Sequence, residues 1–174
     1  MKTTLYVLLL LLTVSTAKAQ RSAHSSDGIY QLDRNIIEAA SNLPALLDSL
    51  EFADLRPVES VKDIPLLFKK FYRDTHGQEL WIADKDADYN CCCTVIPGLP
   101  DIQLVYFGHN DKMAVLGYIQ GGFITSRYVM IFMMNAGKII DFWEGSFHND
   151  DEALYLPKNK DVIVKVLRDY GSKK

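Results

Sequence analysis

The chain has 174 residues, with 19 Lys and Arg against 22 Asp and Glu, and a formal net charge of −3 at pH 7. A balance this close to neutral lacks the basic surface that nucleic-acid binding requires. Hydrophobic residues make up 48% of the chain and charged residues 24%, which excludes a disordered protein and is typical of a folded domain.

The first 19 residues have the pattern of a cleavable export signal. Lys2 precedes a run of apolar residues, and Ala17-Lys18-Ala19 matches the Ala-x-Ala pattern that signal peptidases cut. The run is shorter than the roughly 17 residues that a membrane-spanning helix needs. We therefore predict a signal peptide over 1–19 and a single α+β domain over 20–174, secreted or periplasmic and without a membrane span.

Three amphipathic helices are predicted in the region 27–76. The first covers 28–42, where apolar residues recur at helical spacing. The second begins at Pro44, because a first helical turn does not need the N–H that proline lacks. The third begins at Asp63-Ile64-Pro65 and ends at Gly77. The expected inward-facing residues are Leu46, Leu47 and Leu50 in the second helix and Leu67, Phe68, Phe71 and Tyr72 in the third.

The region 78–144 is predicted to form an antiparallel β-meander sheet of about five to six strands, because runs rich in Val, Ile, Tyr and Phe alternate with short polar breaks. A loop is expected at 97–100. A last helix over 159–171, capped by Asn159, completes an α+β domain in which helices cover the sheet. A short strand at 162–164 is the competing interpretation. The expected strands are 79–83, 89–96, 102–108, 113–120, 123–134 and 139–143.

The predicted strands carry apolar residues on both faces, whereas a sheet with one solvated face alternates apolar and polar residues. In the strand over 123–134, the even-numbered residues form one face and the odd-numbered residues the other. Helices on both sides of the sheet are the favoured explanation. An exposed binding face or a dimer contact is the alternative.

Aromatic and charged residues near the end of the sheet are the candidate binding residues. Arg127 lies among apolar neighbours, and a charge is seldom buried without a partner, so Arg127 either reaches solvent or meets a carboxylate such as Asp141 or Glu144. The ion pair is the favoured interpretation, and an anion-binding pocket is the alternative. The favoured function is a non-enzymatic exported binding or inhibitory protein that engages another exported protein through the sheet or its loops. The candidates are Arg127, Tyr128, Tyr118, Trp143, Glu144 and His148.

A small exported hydrolase-like enzyme is the first alternative. His148 would work with Glu144 or Asp150 as an acid–base pair, if a cleft brings them within hydrogen-bond reach. Ser146 does not lie in a Gly-x-Ser-x-Gly motif, so no residue is assigned as catalytic.

A calcium-dependent module is the second alternative. Asp84, Asp86, Asp88 and Asn90 place oxygen donors at alternating positions, as in the first half of a calcium-binding loop. The match ends at Tyr89, where such a loop needs glycine. A solvated acidic turn is the competing explanation for the same residues.

Three consecutive cysteines, 91–93, are predicted to be small buried residues of a strand. A closed zinc site needs four donors, more than these cysteines supply on one face. A nucleophilic thiol would need a base beside it, and the sequence places none there.

Overall fold

The computed structural model describes residues 23, 24, 28, 30–32, 42–91, 95–122, 125–148 and 159–171. These residues form three α-helices, eight strands and a short 3-10 helix at Val61–Asp63. The helices are α1 (Leu43–Glu51), α2 (Leu66–His76) and α3 (Lys160–Gly171). The strands are β1 (Ala23–His24), β2 (Gln31–Leu32), β3 (Arg56–Pro57), β4 (Ile82–Ala83), β5 (Ile102–His109), β6 (Met113–Gln120), β7 (Ser126–Asn135) and β8 (Lys138–His148).

The main sheet is built on an antiparallel meander in which β5, β6, β7 and β8 each pair with the next strand. Strand β3 adds to the other edge of β5, which gives the order β3-β5-β6-β7-β8. The predicted α+β fold with an antiparallel sheet of about five to six strands is confirmed, although β3 was not among the predicted strands. One pairing differs, because β4 lies parallel to β5. A parallel neighbour needs a long connection, and the residues between Ala83 and Ile102 supply it.

A two-residue turn joins the two longest strands, β7 and β8, whose register shifts once, between Met133 and Met134. Asn135 pairs with Lys138, so the loop consists of two residues, Ala136 and Gly137. Both have positive φ, 49° and 75°, as a type I′ turn requires. This turn matches the right-handed twist of the strands and carries the chain directly into β8.

Both faces of the sheet are covered by helices. On one face, Phe68, Phe71 and Tyr72 of α2 pack in a core that includes Leu116 and Phe132 of the sheet. On the other face, leucines of α1 and apolar residues of α3 pack with the opposite side chains of β6 and β7. For the described residues, the favoured explanation is therefore correct and a fully exposed second face is wrong. The members of the second core include Leu46, Leu50, Val115, Val129, Ile131, Ile163 and Leu167.

The predicted helix boundaries are close to those observed. Helix α1 has Pro44 in its first turn, and its buried residues include the three predicted leucines. Helix α2 ends at Gly77, whose φ of 72° lets its N–H donate to the carbonyl of Arg73. Asn159 caps α3, since its Oδ1 accepts a hydrogen bond from the N–H of Val162 at 3.1 Å. The competing strand at 162–164 is therefore wrong.

Two predicted elements differ from the structure. The helix expected over 28–42 is wrong at 31–32, which form β2 and pair with β1. The strand expected over 89–96 is not found at the described residues 89–91 and 95–96. Asn90 explains the second difference, because its amide donates to the carbonyl of Leu99 and its Oδ1 accepts from the N–H of Ile96. These local bonds compete with a strand ladder.

Several predictions fall on parts of the chain outside the described residues. They concern the signal peptide at 1–19, the rest of the first helix at 33–41, two cysteines at 92–93, and Asp150. Among the residues that are described, no helix has the length and apolar character needed to cross a membrane.

Candidate functional site

A polar cluster lies where the last turn of α2 meets β8. The Nε2 of His76 is 3.2 Å from Oε1 of Glu144, and the hydroxyl of Tyr118 donates to the same oxygen at 3.2 Å. The side chains of His76 and Glu144 are 24% and 26% exposed, so the pair is half-buried rather than on the open surface. We call His76, Glu144 and Tyr118, together with Tyr72 and Tyr128, the His76–Glu144 site.

Helix α2 fixes the position of His76. Tyr72 lies four residues earlier, which puts both rings on one side of the helix. The rings stack at 4.1 Å with an interplanar angle of 4°. The Nδ1 of His76 lies 2.9 Å from Oγ1 of Thr75 and 3.2 Å from the carbonyl oxygen of Tyr72. Both ring nitrogens of His76 therefore have hydrogen-bond partners.

The register of the sheet brings the other members together. Tyr118 of β6 lies opposite Tyr128 of β7, and Glu144 of β8 lies opposite Met130 of β7. Residues that lie opposite one another, or two apart on one strand, share a face of the sheet. All of these side chains therefore belong to the α2 face. The Tyr118 and Tyr128 rings stack at 5.0 Å with an interplanar angle of 10°.

The electrostatics of the site favour a charged His76 and a neutral Tyr118. Burial lowers the pKa of His76, but the hydrogen bond and negative charge of Glu144 and the carbonyl of Tyr72 together raise that pKa above 6.5. Burial raises the pKa of Tyr118 far above 10, and the charge of Glu144 raises it further. Tyr118 therefore keeps its proton and remains a hydrogen-bond donor to Glu144.

The His76–Glu144 pair should give the protein a distinct pH dependence of stability. The pKa of His76 is raised by folding, so the stabilisation is fully present below the unfolded pKa of about 6.5 and is lost as the pH rises through the folded pKa. The difference in unfolding free energy between wild type and His76→Gln should shrink across that window. Urea titrations of both proteins at several pH values measure it. A difference that stays constant or grows with pH would contradict the ion pair.

A cavity of about 410 Å³ opens beside the site. His76, Glu144, Tyr128, Phe142 and Ser146 are among its lining residues. Both hydrogen bonds that Glu144 accepts from described side chains end on Oε1, so its second oxygen, Oε2, is available to solvent or to a ligand. The cavity thus combines a carboxylate, a hydroxyl and aromatic rings on a sheet face that is otherwise packed with apolar side chains.

The structure brings three of the predicted binding residues together and places two others, Trp143 and Arg127, on the opposite face of the sheet. Tyr118, Tyr128 and Glu144 meet in the site, as the preceding contacts show. Trp143 is 5% exposed and packs in the core of the opposite face. Arg127 pairs with Ile119 and Phe147 and shares that opposite face, so its expected ion pair with Glu144 is wrong.

Two further expectations concern neighbours of the site. The carboxylate of Asp141, the other expected partner of Arg127, accepts hydrogen bonds from the amide of Asn42 at 2.6 Å and from the N–H of Phe142 at 2.8 Å. His148 pairs through its backbone with Ser126 at the end of β8, and its side chain lies outside the described part of the structure. The acid–base pair of His148 with Glu144 or Asp150 therefore stays a prediction.

His76 and Tyr72 were missed as functional residues by the sequence analysis. Their signal in the sequence is the spacing of four residues on the inward side of α2, which indicates that the rings meet. Their partner Glu144 is 68 positions from His76 along the chain. Only the packing of α2 on the sheet brings the two together.

Two of the four predicted calcium ligands, Asp84 and Asn90, form hydrogen bonds that stabilise the local structure. The carboxylate of Asp84 accepts hydrogen bonds from the N–H of Val61 and the hydroxyl of Ser60, and so caps the 3-10 helix. Asn90 is buried and its oxygen binds the N–H of Ile96. Asp86 and Asp88 are exposed. Within the described ranges, no group of three or more His, Cys, Asp or Glu could hold a metal ion.

We expect calcium to leave the melting temperature of the protein unchanged. A calcium site on this loop would have to take the oxygens of Asp84 and Asn90 from their present hydrogen bonds. The measurement compares melting curves in calcium and in chelator. Ligands that bind the folded state raise the melting temperature, so a rise that depends on calcium concentration would restore the calcium hypothesis.

The cysteine prediction is wrong for Cys91, which is exposed and lies outside any strand. The N–H of Asn90, its neighbour, donates to the carbonyl of Pro100, which holds this segment along the loop rather than in the sheet. Cysteines 92 and 93 lie outside the described residues.

A second concave surface is lined by the end of α1, the turn between β5 and β6, and neighbouring residues of β7 and β8. This groove, of about 710 Å³, has Phe52, Met133 and Ile140 among its lining residues. Phe52 is 88% exposed and Ile140 45% exposed. Exposed apolar side chains beside a groove are typical of a contact with another protein. The groove is therefore compatible with the interaction protein predicted from the sequence.

Comparison of the chain with protein-family models, with curated proteins and with solved structures finds no significant match. The chemistry of the site therefore carries the functional argument. A half-buried carboxylate, aromatic rings and a hydroxyl around a cavity are the groups with which proteins orient small ligands.

Proposed function

We propose that this chain is a non-enzymatic, exported binding protein and that the cavity at the His76–Glu144 site is its binding site. The pattern of residues 1–19 supports export. The observation that carries the binding function is the cavity itself, in which the Glu144 carboxylate and the Tyr128 ring are accessible on a covered sheet face.

The two groups have complementary roles in binding. Glu144 is held by His76 and Tyr118, so its carboxylate is oriented before a ligand arrives. Tyr128 is held by its stack on Tyr118. Groups fixed in advance lose little conformational entropy when a ligand binds, and this preorganisation favours affinity.

An enzyme based on the same groups is the less favoured function. A histidine that acts as a general base needs a ring nitrogen within reach of the proton that it removes. The Nε2 of His76 faces Glu144 and its Nδ1 faces Thr75 and the carbonyl of Tyr72. Ser146 lines the cavity, but the described contacts of His76 do not include it. Tyr118, with its raised pKa, is a poor base in neutral solution.

A library of small polar and aromatic compounds, screened by ligand-observed NMR, tests the proposal. Compounds that bind wild type should lose binding in Ser146→Leu, because the larger side chain fills the cavity. Ser49→Leu is the matched control, since Ser49 lines the second groove. Circular dichroism and melting curves should show that both variants are folded.

Three outcomes decide the proposal. Binding that is lost in Ser146→Leu and kept in Ser49→Leu supports it. Binding that Ser146→Leu leaves intact, or a library without any ligand, overturns the cavity as the binding site. Turnover of an ester or amide panel that is abolished by Glu144→Gln overturns the non-enzymatic function in favour of a hydrolase.

A further inference from the structure

We infer that the cavity binds an organic cation, namely a primary ammonium or guanidinium group on an apolar stem, with Oε2 of Glu144 as its acceptor. This inference rests on the proposed function and specifies the chemical class of the ligand. It joins three observations: the unused carboxylate oxygen, the charges around the cavity, and the aromatic rings in its wall.

The first observation is the hydrogen bonding of Glu144. His76 and Tyr118 both bind Oε1, and the contacts of the described residues leave Oε2 to the cavity. A carboxylate oxygen accepts hydrogen bonds and cannot donate them. The strongest partner for such an oxygen is a charged N–H donor, because charge-assisted hydrogen bonds are stronger than neutral ones.

The second observation concerns the charges at the cavity. His76 is the cation nearest to Glu144 among the described residues, and its two nitrogens already have partners. The described lining of the cavity contains neither Lys nor Arg, and Arg127 belongs to the opposite face. An anionic ligand would therefore meet the Glu144 carboxylate without a free cationic donor, and like charges at this distance repel.

The third observation is the aromatic wall. Tyr128 and Phe142 line the cavity on the same face as Glu144. One face of the Tyr128 ring is stacked on Tyr118, so the ring offers its other face and its edge to the cavity. Aromatic faces attract ammonium and guanidinium groups through the ring quadrupole, and they also pack against an apolar stem.

The volume of the cavity, about 410 Å³, lies in the range of small-molecule sites. It suits one aromatic amine or one alkylamine. The same chemistry is found in a free amine and in a Lys or Arg side chain of a peptide. The experiment therefore includes both sources.

The affinity for a cation should depend on the charge of His76. A protonated His76 neutralises part of the charge of Glu144 and repels a bound ammonium, so affinity should rise as the pH passes upward through the pKa of His76. The groups that face this pair are Tyr72 on α2, Tyr118 on β6 and Tyr128 on β7. Burial raises the pKa of Tyr72 and of Tyr118, so both keep their protons in this range.

Isothermal titration of the full chain with benzylamine, benzyl alcohol and benzoate tests the inference. The three probes share one ring and differ in charge. Benzylamine should bind at least about tenfold more tightly than benzyl alcohol, which corresponds to the loss of one charge-assisted bond.

A Lys-containing peptide and its acetyl-lysine version form the second arm of the experiment. Stronger binding of the unmodified peptide than of benzylamine assigns the cation to a protein partner, and the reverse assigns it to a free amine.

Glu144→Gln keeps the shape of the side chain and removes its charge, so benzylamine binding should fall at least about tenfold. Glu59→Gln is the matched control, because Glu59 is 82% exposed, pairs with Lys85 and is absent from the lining of the cavity. Its affinity should equal that of wild type. In His76→Gln, affinity should no longer rise between mildly acidic and neutral pH, and melting curves should verify that each variant is folded.

The outcomes separate this inference from the proposed function. Equal binding of benzyl alcohol and benzylamine, or preferred binding of benzoate, overturns the cation while the cavity remains a binding site. Cation binding that Glu144→Gln leaves unchanged overturns Oε2 as the acceptor. If no probe and no library compound binds, the proposed function itself fails.

Discussion

Phe71→Ala should lower the free energy of unfolding by about 3–5 kcal/mol, which is the range for removing a fully buried phenylalanine ring. Phe71 is 0% exposed and lies at the centre of α2. Its ring centroid is 5.1 Å from that of Tyr30, 5.4 Å from that of Phe132 and 4.8 Å from that of Phe142. Alanine would leave a cavity among the rings of these three residues. Because Phe132 and Phe142 belong to β7 and β8, the rings can close the cavity only if those strands move.

The same substitution at Phe52 is the matched control for Phe71→Ala. Phe52 is 88% exposed, so Phe52→Ala should change the unfolding free energy by no more than about 0.5 kcal/mol. Urea denaturation, followed by circular dichroism, gives both values. Similar losses at the two positions would show that α2 does not pack on the sheet as described.

Phe71→Ala should also affect ligand binding, because α2 carries His76 in its last turn. A helix that settles differently on the sheet moves His76 relative to Glu144. Benzylamine affinity should therefore fall in Phe71→Ala even at temperatures at which the variant is fully folded. Phe52→Ala should bind as wild type does.

Local sequence patterns predicted the elements whose determinants are close together in the chain. The stripe of Phe68, Phe71 and Tyr72 determines which side of α2 is buried, and Gly77 ends the helix. The Ala136-Gly137 turn joins β7 and β8 as an antiparallel hairpin. Each of these features depends on residues within one or two turns of a helix or one hairpin.

The two elements that were predicted wrongly depend on contacts that the spacing of apolar residues does not indicate. Residues 31–32 have helical apolar spacing with their neighbours but pair with β1, and Tyr30 also bridges to Ile139. Asn90 lies in an apolar run that resembles a strand, but its side chain bonds to the loop beyond it. In both cases these contacts override the structure that the apolar spacing predicts.

The candidate site was predicted in part. The alternation of β7 places Tyr128 on one face and Arg127 on the other, and the structure confirms that division. The sequence does not specify which helix covers which face. For that reason Asp141 or Glu144 was expected to pair with Arg127, whereas the residue that Glu144 meets is His76 of α2.

Trp143, which was predicted to bind a partner, packs instead in the core. The absence of a side chain at Gly145 leaves the space that the Trp143 ring occupies. Gly145 lies opposite Val129, and Val129 lies opposite Gly117, so two glycines flank one valine in neighbouring strands. A β-carbon built on Gly145 would collide with the indole ring of Trp143, which therefore lies over this glycine. The ring fills the space that a side chain at position 145 would take.

Gly145→Ala should therefore lower the free energy of unfolding by about 1–3 kcal/mol, the usual cost of overpacking a core. Trp143 is 5% exposed and packs in the core with α1 and α3, so its ring cannot move aside into solvent. Because Gly145 also lines the cavity beside Glu144, the strain should reach the binding site and weaken benzylamine binding.

Gly117→Ala is the control for Gly145→Ala, since both changes add one methyl group to a strand beside Val129. The nearest atom to a β-carbon at position 117 is 3.9 Å away, in ordinary van der Waals contact with Tyr106. Gly117→Ala should therefore be neutral or slightly stabilising, because alanine has less conformational freedom to lose on folding. Urea denaturation and the near-ultraviolet circular dichroism of Trp143 distinguish the two variants. If Gly145→Ala is as stable as Gly117→Ala and leaves the tryptophan signal unchanged, the indole does not occupy the space above Gly145.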